Sequence, residues 1–162
     1  MAITYEPIAN YTASASSTVS FTSIPSTYTD LILVALGNSN TTGSSTNNWR
    51  LQFNGDTTAT YSDTMIASAG STATSSRDSS SAVMYLGACP QTSASQQHTI
   101  FQIMNYSNAT TNKTVIARGN SGDYLNAGAG LWRSTAAINR IDIFMTGQTI
   151  SGTFSLYGIK AA

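Results

Sequence analysis

The chain has 162 residues, the length of a single domain that can bury one hydrophobic core. Only 9% of the residues are charged, the formal net charge is zero, and about three residues in ten are Ser or Thr. The seven cationic residues are scattered and form no basic stripe, which excludes the usual electrostatic basis of nucleic-acid binding. A surface near zero charge repels itself weakly and favours association with other proteins.

No apolar run approaches the roughly 20 residues that a membrane-spanning helix needs, and the longest, residues 31–36, is far shorter. The first eleven residues, MAITYEPIANY, lack the basic and apolar regions of a secretory signal, so we expect no secretory route. The single cysteine, Cys89, excludes an intramolecular disulfide, and we interpret it as a buried, inert thiol.

Apolar and polar residues alternate through most of the chain, which predicts strands rather than helices. Residues 31–36 are apolar at every position and predict a central strand covered on both faces. Asn54-Gly55-Asp56 predicts a tight hairpin turn. The alternation assigns to one face, in chain order, Val19 and Phe21, then Trp49, Leu51 and Phe53, then Phe101 and Ile103, then Ile141 and Ile143, and finally Ile150, Phe154 and Leu156.

Four polar or glycine-rich stretches separate these strands, at residues 38–48, 67–81, 106–113 and 119–130, and we interpret them as loops. Strands recurring every 10–15 residues between such stretches are typical of a sandwich or barrel. We therefore predict an all-β fold, a two-sheet antiparallel β-sandwich that is jelly-roll-like, with about eight to ten strands and long polar loops. The whole chain, residues 1–162, is expected to form this one domain, with residues 1–7 as an N-terminal contact arm.

The sequence offers no marked catalytic or metal site, and we predict neither enzymatic activity nor a cofactor. The only histidine, His98, is interpreted as a polar residue at the start of a strand. The carboxylates do not form a pair with recognisable spacing, and Asp30 and Asp56 stand at a strand entry and a turn, where Asp commonly accepts backbone hydrogen bonds. Oxygen atoms of residues 54–56 are suitable ligands for Ca²⁺, but the tight turn already accounts for the residue types at these positions.

Aromatic residues near the polar stretches allow a second hypothesis, a carbohydrate site. Aromatic faces combined with amides can hold a sugar, and Tyr61, Tyr106 and Tyr124 are the candidate glycan contacts. Trp49 is expected in the core because its strand alternates. Trp132 is expected at a sheet edge or a subunit interface.

Two segments carry a resemblance to a known family. Phe21, Ile24, Pro25, Tyr28, Asp30 and Leu31 fit the pattern F-x-S-I-P-x-x-Y-x-D-L, and a second pattern, a closing strand, is carried by Gly152, Phe154, Leu156, Tyr157, Gly158 and Ile159 in GTFSLYGI. In residues 4–34 and 152–160, which contain these patterns, the protein resembles small β-sandwich structural proteins of tailed bacteriophages, especially those of aquatic and cyanobacterial phages. The resemblance implies a virion protein, a homotrimer, that serves either as a capsid decoration (cement) protein or as a tail-fibre domain.

As a decoration protein it would bind the major capsid protein and copies of itself on the outer head surface after synthesis in the host cytoplasm. We favour this function because no shaft or coiled-coil segment is expected outside the domain. The alternative is a tail-fibre or tail-tip domain that binds host polysaccharide. The expected interface residues are Tyr5, Pro7, Trp132, Tyr157 and Ile159, and Tyr157→Ser should weaken the oligomer more than the fold of one subunit.

Overall fold

The computed structural model describes residues 5–40, 46–90, 97–121 and 124–160, and these form twelve β-strands and no helix. Within those ranges, therefore, no helix is long and apolar enough to cross a membrane. The all-β prediction is confirmed, with more strands than expected. The strands are β1 (Tyr5–Ser16), β2 (Thr18–Phe21), β3 (Asp30–Ser39), β4 (Thr46–Phe53), β5 (Tyr61–Ala69), β6 (Thr72–Ser81), β7 (Met84–Pro90), β8 (Gln97–Met104), β9 (Lys113–Ser121), β10 (Tyr124–Trp132), β11 (Ile141–Phe144) and β12 (Ile150–Ile159).

The strands form a two-sheet antiparallel β-sandwich. The larger sheet has eight strands in the order β1-β12-β3-β8-β9-β10-β5-β6, and the smaller has four in the order β2-β11-β4-β7. The last strand, β12, pairs with β1 on one side and β3 on the other. In the larger sheet, β12 therefore lies between two strands from the first part of the sequence.

The core lies between the sheets, and the period-two pattern decides which side chains enter it. We call the face of the larger sheet that meets the smaller sheet its inner face, and the opposite one its outer face. Leu31 and Leu33 of β3 and Phe154 of β12 are fully buried on the inner face. Trp49 of β4 meets Phe154 edge to face, with ring centroids 5.6 Å apart. The prediction that Trp49 is a core residue is confirmed.

Two stretches that we interpreted as loops are mostly strand. Residues 67–81 contain the end of β5 and the whole of β6, and residues 119–130 contain the end of β9 and most of β10. Strand β6 shows no apolar alternation because nearly all of its side chains are exposed. In β10, Gly130 is required because a Cβ there would overlap the Met84 side chain of the opposing sheet. Close packing, rather than loop flexibility, explains that glycine.

The tight turn after β4 is confirmed, but the hairpin is wrong. Asn54 and Gly55 have φ of 55° and 68°, and the Asp56 N–H donates to the Phe53 carbonyl at 2.9 Å. However, β4 pairs with β11 and β7, whereas β5 pairs with β10 and β6. The turn therefore carries the chain from the smaller sheet to the larger one. The chain does not return along β4, because the residues after the turn bond to Asp56.

The two segments that carry the phage resemblance touch each other. The ring of Tyr28 lies directly on Gly158 of β12, where a Cβ would overlap the ring. The Tyr28 hydroxyl donates to the Glu6 carboxylate at 3.2 Å, and the Lys160 ammonium donates to the same carboxylate at 2.7 Å. Both patterns therefore describe one packing arrangement at the end of the sheet, which gives them a structural explanation.

The contact arm predicted at residues 1–7 is in part strand. Residues 5–7 begin β1 and pair with β12, with Tyr5 opposite Ile159 and Pro7 opposite Tyr157. Residues 1–4 lie outside the described residues. Because the backbone of residues 5–7 is paired in the sheet, the side chains of these residues are held in fixed positions.

Candidate functional site

The outer face of the larger sheet carries an apolar band. On β3, Leu31 and Leu33 point into the core, and Ile32, Val34 and Leu36 point outward. Ile32 and Val34 are half-buried by their neighbours, and Leu36 is 39% exposed. The prediction of cover on both faces of this strand is therefore met only on the inner face, since no described strand lies over the outer one. Contiguous exposed apolar residues are a common feature of interaction sites, so the outer face is the candidate site.

Strand β3 contributes one uniformly apolar row to the band. Every outward residue of this strand between Asp30 and Asn38 is apolar, whereas the two neighbouring strands mix apolar with polar residues. The apolar content falls on the two strands that flank β3 and rises again on β10, whose outward residues are Leu125, Ala127, Ala129 and Leu131. The outward residues are Thr153, Ser155, Tyr157 and Ile159 on β12, and His98, Ile100, Gln102 and Met104 on β8.

Four of the five predicted interface residues come together at one end of this outer face. Tyr5 lies opposite Ile159 and Pro7 opposite Tyr157, and residues directly opposite in a sheet share a face. Tyr5 and Pro7 are exposed, and Tyr157 and Ile159 are half-buried. Phe154 and Leu156 point into the core, as the alternation predicts. The four residues extend the β3 band to the β1 edge of the sheet.

Trp132, the fifth predicted interface residue, belongs to the core. It is 2% exposed, its indole N–H donates to the Asp56 carboxylate at 2.7 Å, and its ring stacks on Tyr61 at 6.3 Å between centroids. The prediction of an edge or interface position is wrong. Trp132 lies at an inward position of β10, a strand that we did not predict because its sequence is glycine-rich.

The candidate glycan contacts are not gathered into a surface. Tyr61 and Tyr106 are fully buried, and Tyr124 is half-buried at the start of β10. The Tyr61 hydroxyl bonds the backbone of Phe53, and burial raises its pKa to about 12. The Tyr106 hydroxyl donates to the Pro25 carbonyl. The glycan assignment of these two tyrosines is wrong, because loop-flanking aromatics here fill the ends of the sandwich.

The carboxylate of Asp56 is saturated by protein donors. One oxygen accepts the Thr58 N–H at 2.9 Å and the Thr58 hydroxyl, and the other accepts the Thr60 hydroxyl and the Trp132 indole, both at 2.7 Å. Burial acts to raise the pKa of Asp56, but these hydrogen bonds outweigh it and hold the pKa well below its usual range. The carboxylate therefore connects the turn to β10 and stabilises the fold.

Charge is sparse on the outer face. Arg118 of β9 is exposed there, opposite Ile100 of β8 and Ala127 of β10. In the part of the chain that the structure describes, no hydrogen bond or ion pair engages Arg118. A partner that covers this region must therefore offer an acceptor to Arg118 or leave it in water.

A second buried carboxylate has a raised pKa. Asp63 of β5 is 6% exposed, accepts the Tyr85 N–H at 2.9 Å and lies opposite Asp78 of β6. Burial, with a smaller contribution from Asp78, raises the pKa of Asp63 to about 6. Ionisation of this group consequently opposes folding at neutral pH.

We expect Asp63→Asn to stabilise the protein at pH 7.5 by about 1–2 kcal/mol, because the amide oxygen still accepts the Tyr85 N–H and the buried charge is gone. The folded pKa is raised above the unfolded value, so the difference should vanish near pH 3.5 and grow through pH 6. Urea unfolding at both pH values measures it. Asp78→Asn, which removes only the smaller repulsion from the neighbouring strand, should stabilise the protein less than Asp63→Asn does. If Asp63→Asn makes the protein less stable than the wild type at pH 7.5, the assignment is contradicted.

No group of three His, Cys, Asp or Glu side chains within the described ranges is placed to hold a metal ion. His98 is exposed near the start of β8, as predicted for a strand-entry residue. The backbone of Cys89 lies in β7, and its side chain falls outside the described residues.

The comparisons add no relative to this description. No protein-family model matches the chain, and no curated protein matches it significantly.

Proposed function

We propose that this chain is a structural protein of a tailed-bacteriophage virion, a capsid decoration (cement) protein that binds the outer head surface as a homo-oligomer. The observation that carries the proposal is the apolar outer face, taken together with the phage-like segments around Tyr28 and Gly158. A face of this kind is suited to docking on a protein partner, and the major capsid protein is the partner that the resemblance implies.

Composition supports the same function. The chain has few charges and a hydroxyl-rich surface, which packs on other proteins without strong electrostatic selection. Several weak contacts on one rigid oligomer act together through a high effective concentration, so a shell can be stabilised without any single tight interface.

The alternative, a tail-fibre or tail-tip domain that binds host polysaccharide, loses most of its residue support. Of its three candidate contacts, Tyr61 and Tyr106 are buried, which leaves the half-buried Tyr124. We keep this alternative as an outcome of the experiment rather than as a second proposal.

The test uses phage heads that lack decoration protein, incubated with purified protein and separated on a gradient. We expect saturable binding at symmetric positions on the heads, visible by electron microscopy, and no binding to host cells. Ile32→Lys, which puts a charge into the band, should abolish head binding, while Arg77→Gln on the exposed strand β6 should leave it unchanged. Binding to host cells or host polysaccharide, without binding to heads, would overturn the proposal in favour of the alternative.

A further inference from the structure

Three of the six exposed large apolar side chains in the described parts of the chain lie on three adjacent strands of the outer face. Ile116 of β9 is 44% exposed, Leu125 of β10 is 63% exposed, and Ile66 of β5 is 62% exposed. The other outward residues of β10 are also apolar. We call this group the β10 patch, and its members are Ile66, Ile116, Leu125, Ala127, Ala129 and Leu131.

The β10 patch contains a depression. Ala127 lies opposite Ile66, and Ala129 lies opposite Ile116, so a small residue stands beside each isoleucine. Ile66, Leu125 and Ala127 are among the residues that line a depression of about 210 Å³. Sites for small molecules usually enclose about 300–1,000 Å³. This depression is smaller, and its size suits one large apolar side chain.

The chemistry of the surface around the depression favours a protein ligand. The outward residues of β9, β10, β5 and β6 in their printed registers are aliphatic, hydroxyl-bearing, amide or arginine side chains, and none is aromatic. Sugars and nucleic-acid bases bind mainly by stacking on aromatic rings. An apolar side chain gains free energy from burial against aliphatic walls without any ring.

The β10 patch is bordered by a cation without a carboxylate partner. Arg118 of β9 lies opposite Ala127 and is exposed. Among the outward residues of β8, β9, β10, β5 and β6 in the described registers are Arg118 and Arg77, but no Asp or Glu. Asp63 and Asp78 face the opposite side of the sheet, where Asp63 accepts the Tyr85 N–H. This part of the outer face is therefore cationic, although the whole chain is neutral.

We infer that the β10 patch binds an acidic segment of the capsid protein, with one apolar side chain in the depression and a carboxylate on Arg118. A neutral surface placed over Arg118 would remove its water and supply no ionic acceptor, which is unfavourable. The inference rests on the proposed function for the identity of the partner, and it specifies the chemistry of the partner's surface.

The β10 patch and the apolar row of β3 are separate contact areas of one face. Strand β10 lies three strands from β3 in the sheet order, which corresponds to roughly 14 Å at about 4.8 Å per strand. Two areas on one rigid face strengthen each other when both are engaged. Loss of the β10 patch is therefore expected to weaken binding to heads even when the β3 row is intact.

Binding of charge variants to phage heads tests the carboxylate. We expect Arg118→Gln to weaken binding at least about 10-fold, because it removes one partner of a covered charge pair, and Arg118→Glu to weaken it further. Arg77→Gln is the matched control, since it removes the same charge from the edge strand β6, two strands from β10, and it should leave binding unchanged. Binding of the wild type should fall as the salt concentration rises, and Arg118→Gln should show a smaller salt dependence.

Apolar variants test the depression in the same assay. Ile66→Ser and Leu125→Ser should each weaken head binding about 10-fold while leaving the melting temperature nearly unchanged, because both side chains are mostly exposed. Tyr11→Ser is the control. Tyr11 is 43% exposed and lies opposite the inward-pointing Phe154, on the other side of the sheet, so its loss should not affect binding.

A titration followed by methyl NMR tests the chemistry without phage heads. The probes are the blocked peptides acetyl-Glu-Leu-Glu-amide and acetyl-Gln-Leu-Gln-amide. We expect the acidic peptide to shift the methyl signals of Ile66, Ile116 and Leu125 with a Kd of about 1 mM, and the neutral peptide to bind about fivefold more weakly. In Arg118→Gln the two peptides should bind equally. The methyl signals of Ile32 on β3 should not move.

The outcomes separate this inference from the proposed function. Head binding that is unchanged by Arg118→Gln and Ile66→Ser, equal or absent binding of the two peptides to the wild type, or shifts confined to β3 would each overturn the inference alone. Polygalacturonate, an acidic polysaccharide, should leave the methyl signals unchanged, and shifts larger than those caused by the acidic peptide would identify a glycan site instead. Peptide binding as expected, with no binding of the wild type to heads, contradicts the proposed function alone.

Discussion

Replacing Asp56 with alanine is expected to lower the free energy of unfolding by about 3–5 kcal/mol. The carboxylate accepts hydrogen bonds from Thr58, Thr60 and Trp132, and Trp132 is almost completely buried. Without Asp56 the indole N–H has no acceptor in the core, and the turn loses its connection to β10. Equilibrium urea unfolding followed by tryptophan fluorescence measures the loss.

The partner can be tested separately by a double-mutant cycle. Trp132→Phe removes the indole donor, so Asp56→Ala should cost about 1–3 kcal/mol less in that background than in the wild type. Asp78→Ala, at an exposed position on β6, should change stability by less than about 0.5 kcal/mol. Equal costs of Asp56→Ala in both backgrounds would show that the indole contact contributes nothing.

The same carboxylate predicts acid sensitivity. Because the folded-state pKa of Asp56 is depressed, its stabilisation is fully present above the unfolded pKa, near 4, and is lost as the pH falls toward the folded pKa. The stability difference between the wild type and the alanine variant should therefore shrink between about pH 4 and pH 2. A difference that stays constant over this range would contradict the ionised state of Asp56.

Replacing Gly158 with alanine is expected to cost about 2–3 kcal/mol, the upper part of the range for overpacking a buried site. The added methyl group would overlap the Tyr28 ring, which is held by the hydrogen bond to Glu6 and lies under the Lys160 ammonium at 5.7 Å from the ring centroid. The ring must leave Gly158, and these contacts are lost together. Thermal unfolding with a matched urea titration measures the effect.

The specific cause is tested by removing the ring first. In a Tyr28→Ala background, Gly158→Ala should cost less than about 1 kcal/mol, because its backbone lies in extended strand and the three atoms nearest to an added methyl group all belong to that ring. A large cost that persists without the ring would place the strain in the strand backbone. It would then remove our explanation of why the two phage-like segments occur together.

Sequence reasoning found the outward residues of β12 through one pattern, the alternation along that strand. Because Phe154 and Leu156 had to face the core, Tyr157 and Ile159 had to face outward. Nothing in the sequence placed Tyr5 and Pro7 beside them, since that depends on the register between β1 and β12, strands at opposite ends of the chain. Arg118 was missed for the same reason, because its position on the band follows from the order of β3, β8 and β9.

The aromatic residues show where local reasoning failed. Trp49 lay in a strand with clear alternation and was assigned correctly, whereas Trp132 followed a glycine-rich stretch with no apolar pattern. The residues of this stretch are small because the opposing sheet approaches closely. The sequence does not show which sheet packs against the strand, so small residues in close packing look the same as those of a flexible loop.

By itself the sequence determined the all-β class, the inward and outward faces of the strands that alternate, and the tight turn at Asn54 and Gly55. These features depend on neighbouring residues and on the two-residue period of a strand. Only the tertiary structure decided that Asp56 bonds Trp132, that Tyr28 covers Gly158, and that the outer face of β3 has no second layer among the described residues. Each of these depends on strand order and register, which are set by contacts between segments far apart in the chain.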